Sequence, residues 1–81
     1  MPHIIVKAWP GGTREDKGKL AEKFKDNMSE VMGVPKNVIT VAFDEVKPED
    51  WYDDIHIPLI EGNKTGEMFI PKGYKGYKHK V

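Results

Sequence analysis

Cysteine is absent from this 81-residue chain, which excludes disulfides, thiolate nucleophiles and cysteine-based zinc sites. There is no run of ~18 apolar residues either, so no segment reads as a membrane-spanning helix. Net charge is also missing. Lys+Arg and Asp+Glu stand at 13 each, and no overall field draws the chain toward nucleic acid or a membrane surface. The opening lacks a basic leader and a cleavage site, so no signal peptide is expected and a cytoplasmic location is. Phosphate-cradling glycine motifs, nucleophile elbows and cofactor fingerprints are not found, and no metal or organic cofactor is expected. Asp53 and His56 share a helical spacing but have no evident third ligand. A chain this short reads as one domain, 1–81, whose isolated core would be marginal and would gain from oligomerisation.

What is present begins with Pro2, followed by the apolar run His3-Ile4-Ile5-Val6-Lys7. His3 to Trp9 reads as a strand ended by the turn Pro10-Gly11-Gly12. Thr13 with Asp16 three residues on resembles a capping box, and Glu15 and Asp16 suit a first helical turn. Leu20, Phe24, Met28, Val31 and Met32 then recur at helical spacing, with Ala21 on the flank. Gly33 is placed to end that helix and Pro35 lies just beyond, which predicts a helix over Arg14 to Met32. Val38 to Val46 reads as a second strand, with Val38, Thr40 and Ala42 on one face and Ile39, Val41 and Phe43 on the other. Both faces are largely apolar, so one should meet the helix and the other a second subunit. The connection is long enough for a parallel, right-handed crossover. Pro48-Glu49-Asp50-Trp51 looks like a helix start, and Pro58, Gly62 and Gly66 make any helix over Glu49 to Ile60 short or irregular. From Gly62 onward five lysines are interleaved with Tyr74 and Tyr77, a pattern that can bind single-stranded nucleic acid. A solvated tail packed on a neighbouring subunit is the preferred reading, and no nucleic-acid partner is expected.

The opening Met1-Pro2-His3-Ile4, the β-α-β plan and the Pro48-Glu49-Asp50-Trp51 segment together resemble the 4-oxalocrotonate tautomerase family. Pro71-Lys72-Gly73-Tyr74 is similar to the ending of a longer-chain, phenylpyruvate-tautomerase-like subgroup. The resemblance implies an α/β fold: a β-α-β tautomerase-like protomer with parallel strands, its sheet completed by oligomerisation as a dimer or hexamer. It also implies a cofactor-independent isomerase. Its amino-terminal proline would move a proton in keto–enol tautomerisation of a small 2-oxo or 2-hydroxy-enoate carboxylate.

On this reading Pro2 is the catalytic residue. Once Met1 is removed, its nitrogen is a free secondary amine, and a group that both takes and returns a proton works best near the ambient pH. An α-amino group starts at about 8, and apolar burial or a nearby cation lowers it. The alternative for Pro2 is a strand-edge residue that donates no hydrogen bond. The family's two substrate-binding arginines fall by alignment on Gly12 and Thr40. Arg14, the only arginine present, is the candidate carboxylate ligand, with a lysine from an adjacent subunit as a substitute. The Thr40 hydroxyl is a candidate ligand for a substrate oxygen, and Trp51 aligns with the aromatic residue that walls the family's pocket. Phe43 and His3 read chiefly as strand residues. With one arginine, a monocarboxylate such as an arylpyruvate fits better than a dicarboxylate. The alternatives are a hydrolytic dehalogenase or hydratase, with Asp44 or Glu45 activating water, and a non-catalytic oligomeric binding module.

Overall fold

The computed structural model describes residues 1–63 and 68. The Pro71-Lys72-Gly73-Tyr74 segment and the lysines interleaved with Tyr74 and Tyr77 lie outside them. The chain divides into two compact units, Met1–Glu45 and Val46–Val81.

The first unit is a strand–helix–strand crossover. Strand β1 (His3–Ala8) leads through the Pro10-Gly11-Gly12 turn into helix α1 (Arg14–Met32), and strand β2 (Thr40–Glu45) returns parallel to β1. The register pairs His3 with Thr40, Ile5 with Ala42 and Lys7 with Asp44 on one face. Ile4, Val6 and Ala8 pair with Val41, Phe43 and Glu45 on the other. Alternation along each strand sends these two sets to opposite sides. Ile4, Val6, Ala8, Val41 and Phe43 are half-buried on the side of α1, whereas His3, Ile5, Thr40 and Ala42 are exposed. Within this unit that outer face is uncovered, although parallel sheets are normally covered on both sides.

Helix α1 begins as its residues dictate. The Thr13 hydroxyl accepts from the Asp16 amide at 3.0 Å, and acidic Glu15 and Asp16 occupy the positive end of the helix dipole. Gly33 closes it in the left-handed region (φ 73°), its amide donating to the Ser29 carbonyl at 2.9 Å. Ala21, Phe24 and Met28 are half-buried, but Val31 and Met32 remain 78% and 67% exposed. A 19-residue helix is about 28 Å long and a six-residue strand about 20 Å, so the last helical turn overhangs the sheet. Strand β2 starts two residues later than its sequence suggests, because Lys36–Val38 forms a 3-10 turn. Ile39, which follows that turn, is the most deeply buried apolar side chain among the described residues, at 4% exposure.

The second unit opens with α2 (Pro48–Trp51), where Pro48 fills the first helical position and Glu49 and Asp50 follow. It widens without a break into a π-helix over Tyr52–Glu61 that contains Pro58. Proline has no N–H to donate and crowds the carbonyl four residues back, so an ordinary helix would break there. Wider turns accommodate it, and the Gly62 amide ends the segment on the Ile57 carbonyl, five residues back, at 2.9 Å. Ile55 and His56 are buried; the His56 ring stacks on Tyr52 and its Nε2 bonds Glu61 at 2.9 Å.

Candidate active site

Pro2 sits just before β1, half-buried, and shares with Ile4 and Val6 the face that looks toward α1. Its carbonyl accepts the Thr40 amide at 3.2 Å, which fixes the residue at the start of the parallel ladder. One rung before His3–Thr40, its cross-strand neighbour is the buried Ile39. The residue is therefore anchored by backbone pairing through its carbonyl, two residues before the half-buried Ile4.

Thr40 lies beside Pro2 along the backbone but on the opposite face. Its side chain is exposed on the open side of the sheet, 2.6 Å from His3 Nδ1. His3 leaves the strand on the same outer face, as alternation from Pro2 requires.

Arg14 occupies the first position of α1 and is exposed. Because the chain enters α1 from the far end of β1, its backbone is separated from Pro2 by about 20 Å of strand. Arg14 borders a cleft of about 460 Å³ with Lys17, Gly18, Ala21, Val41 and Phe43. The absent side chain of Gly18 leaves room there. A second, more apolar cleft of about 240 Å³ lies by the ends of the strands, where Trp9, Leu20 and Phe43 meet Gly11 and Gly12. Pro2 lines neither cleft. Trp51 ends α2 in the second unit and is half-buried there.

The structure thus brings Pro2 and Thr40 to adjacent backbone positions and places Arg14 at the other end of the sheet. Lys17 borders both clefts, and its spacing of three from Arg14 was the one signal for it in the sequence. Its ammonium is ion-paired with Glu45. Lys7 and Asp44 pair at 2.6 Å, so both acids considered for activating water are engaged by lysines. The Lys17 hydrogen bond holds the Glu45 carboxyl below the usual value against the opposing effect of burial, and the Gly11 amide and the Lys17 charge lower it further. Among the described residues no three His, Asp or Glu side chains cluster as a metal site, and no helix is long and apolar enough to cross a membrane.

A parallel β-α-β unit with a proline at the head of its first strand defines a recognisable class. The profile of the Tautomerase family, described as tautomerase enzyme, matches residues 2–53, beginning on Pro2. A probable tautomerase of Xylella fastidiosa is 36% identical over 75 residues, covering 91% of this chain and 89% of that protein. The crystal structure of DmpI from Helicobacter pylori superimposes with a TM-score of 0.57 at 37% identity, covering 59% of this chain and 81% of that one. TomN, a 4-oxalocrotonate tautomerase homologue of the tomaymycin biosynthetic pathway, gives 0.59 at 28% identity, with 62% and 77% covered. The chain belongs to the tautomerase family, whose members are isomerases, and its fold is that of the 4-oxalocrotonate tautomerase homologues.

Proposed function

We propose that the protein catalyses keto–enol tautomerisation of a small 2-oxo or 2-hydroxy-enoate monocarboxylate, with the Pro2 amine as general base and acid. The observation that carries this reading is the position of Pro2, where the family match begins and where the Thr40 amide grips the proline carbonyl. The reaction needs Met1 removed, since a Met1–Pro2 peptide makes the nitrogen a tertiary amide without a basic lone pair. The free amine then takes the enol hydroxyl proton as the O–H electron pair forms the carbonyl. The double-bond electrons take a proton at the neighbouring carbon, delivered by the same nitrogen. A base that returns the proton it takes works best with a pKa near the ambient pH, and apolar burial moves an amine in that direction.

Arg14 holds the substrate carboxylate through its planar fork of donors. The strand length between Arg14 and Pro2 favours Arg14 acting in the site of another copy, so the working enzyme is a cytoplasmic homo-oligomer. The exposed apolar outer face, Ile5 with Ala42, gives such a copy a surface to cover. In this assembly Trp51 walls the pocket, and a ring-bearing substrate suits its aromatic face, as in the phenylpyruvate-tautomerase-like subgroup. The test is ketonisation of phenylenolpyruvate by the Met1-free protein and by Pro2→Ala. A loss of about 10²-fold or more in kcat/KM is expected for a displaced general base, and equal rates overturn the assignment.

A further inference from the structure

Gly18 lies inside α1, and no atom stands within 4 Å of the place a Cβ would occupy there. Glycine is the poorest helix former after proline, because it gives up the most backbone freedom. The two ordinary reasons for keeping one, a left-handed backbone or a close approach, are both missing at this position. What the glycine leaves is room in the cleft of about 460 Å³ that it borders with Arg14, Lys17, Ala21, Val41 and Phe43. Arg14 stands four residues earlier on the same helical face. Side chains of a helix lean toward its N-terminus, so a side chain at position 18 would cover the turn that carries Arg14.

We infer that Gly18 sets the size of substrate the protein accepts: the cleft takes the apolar body, a ring or a branched chain, of a monocarboxylate whose carboxylate Arg14 holds. This deepens the tautomerase reading and rests on it. The lining divides in the same way as such a ligand. Ala21, Val41 and Phe43 give a half-buried apolar floor from α1 and β2. Of the two cations at the rim, Lys17 is already neutralised by Glu45, whereas Arg14 has no ion-pair partner among the described residues. The space is ample, since a cavity of about 150 Å³ already accepts benzene. The cleft also lies on the side of the sheet that α1 covers, the side shared by Pro2, and not on the open face of Ile5 and Ala42.

The test is NMR titration of the Met1-free full chain with phenylacetate and with acetate, which share the carboxylate and differ in the ring. Gly18→Leu should weaken phenylacetate about tenfold, the size of a misfit in an apolar pocket, and leave acetate within about twofold. Leucine is a better helix former than glycine, so this variant should melt at or above the natural protein. In turnover of phenylenolpyruvate it should raise KM while kcat stays within about threefold, as for uniform binding. A second measurement needs no variant. The ring current of bound phenylacetate should shift the methyl signals of Ala21 and Val41 in the natural protein and leave those of Ile5, on the other face, unmoved. Gly18→Leu weakening both probes alike, or neither, overturns the inference, and so do unshifted Ala21 and Val41 methyls. Equal weakening together with a changed assembly size in gel filtration would show that a second copy fills the cleft instead. Pro2→Ala separates the two readings. If it remains active while Gly18→Leu loses phenylacetate alone, the proline assignment fails and the cleft stands. If Pro2→Ala is inactive while Gly18→Leu binds both probes normally, the cleft fails alone.

Discussion

Lys17 and Glu45 are ion-paired across 28 positions of sequence, joining the second turn of α1 to the last residue of β2. The crossover is thus fastened at the end of the sheet away from Pro2. Because Glu45 is held below its ordinary value, the pair contributes stability above that value and loses it as pH falls through the lowered one. Glu45→Gln should therefore melt at a lower temperature than the natural protein at pH 7, and the gap should narrow at pH 3. Thermal melts at the two pH values check this; a gap of constant size would show that the charge on Glu45 is not what matters.

At the other end of the pH scale the sign reverses. The hydrogen bond to Asp26, reinforced by its negative charge, holds the Lys36 ammonium above its usual value. Its contribution is complete below the ordinary lysine value of 10.5 and disappears as pH rises through the raised one. Lys36→Met should match the natural protein more closely in melts at pH 11 and above than at pH 8.

Two local substitutions should separate propensity from packing. Thr13→Ala removes the acceptor for the Asp16 amide and should cost about 1 kcal/mol in urea unfolding. Ile39→Ala opens space at the 4%-exposed position beside Pro2 and should cost about 2–5 kcal/mol. A larger effect from Thr13 than from Ile39 would mean that the first unit is held by its helix cap more than by its core.

These contrasts mark what the sequence made legible. The ends of α1 were readable because Thr13, Asp16 and Gly33 act on the backbone next to them. The faces of the strands were readable because alternation is built into extended chain. The π-helix was readable only as irregularity: Pro58 announces a broken hydrogen-bond ladder but not whether the chain stops or widens. Register was not readable. Nothing in the order of residues announces that His3 meets Thr40 or that Lys17 reaches Glu45, since both depend on how the crossover settles. The distance between Arg14 and Pro2 has the same origin. Twelve positions apart in sequence looks near, but the intervening strand carries the chain to the far end of the sheet.

That separation gives the most discriminating expectation for Arg14. The side chain is exposed and, among the described residues, has no ion-pair partner, so Arg14→Ala should leave the melting temperature nearly unchanged. Loss of a charge-assisted grip on carboxylate should raise KM for phenylenolpyruvate about tenfold, and Arg14→Lys should restore only part of it because the fork geometry is lost. If Arg14 serves the Pro2 of another copy, refolding an equal mixture of Pro2→Ala and Arg14→Ala chains places one intact pair in a mixed assembly. Activity at low substrate should then exceed the average of the two parents. An activity equal to that average would place Arg14 in the site of its own chain or outside the site altogether, and titration of phenylacetate into Arg14→Ala decides between these two outcomes.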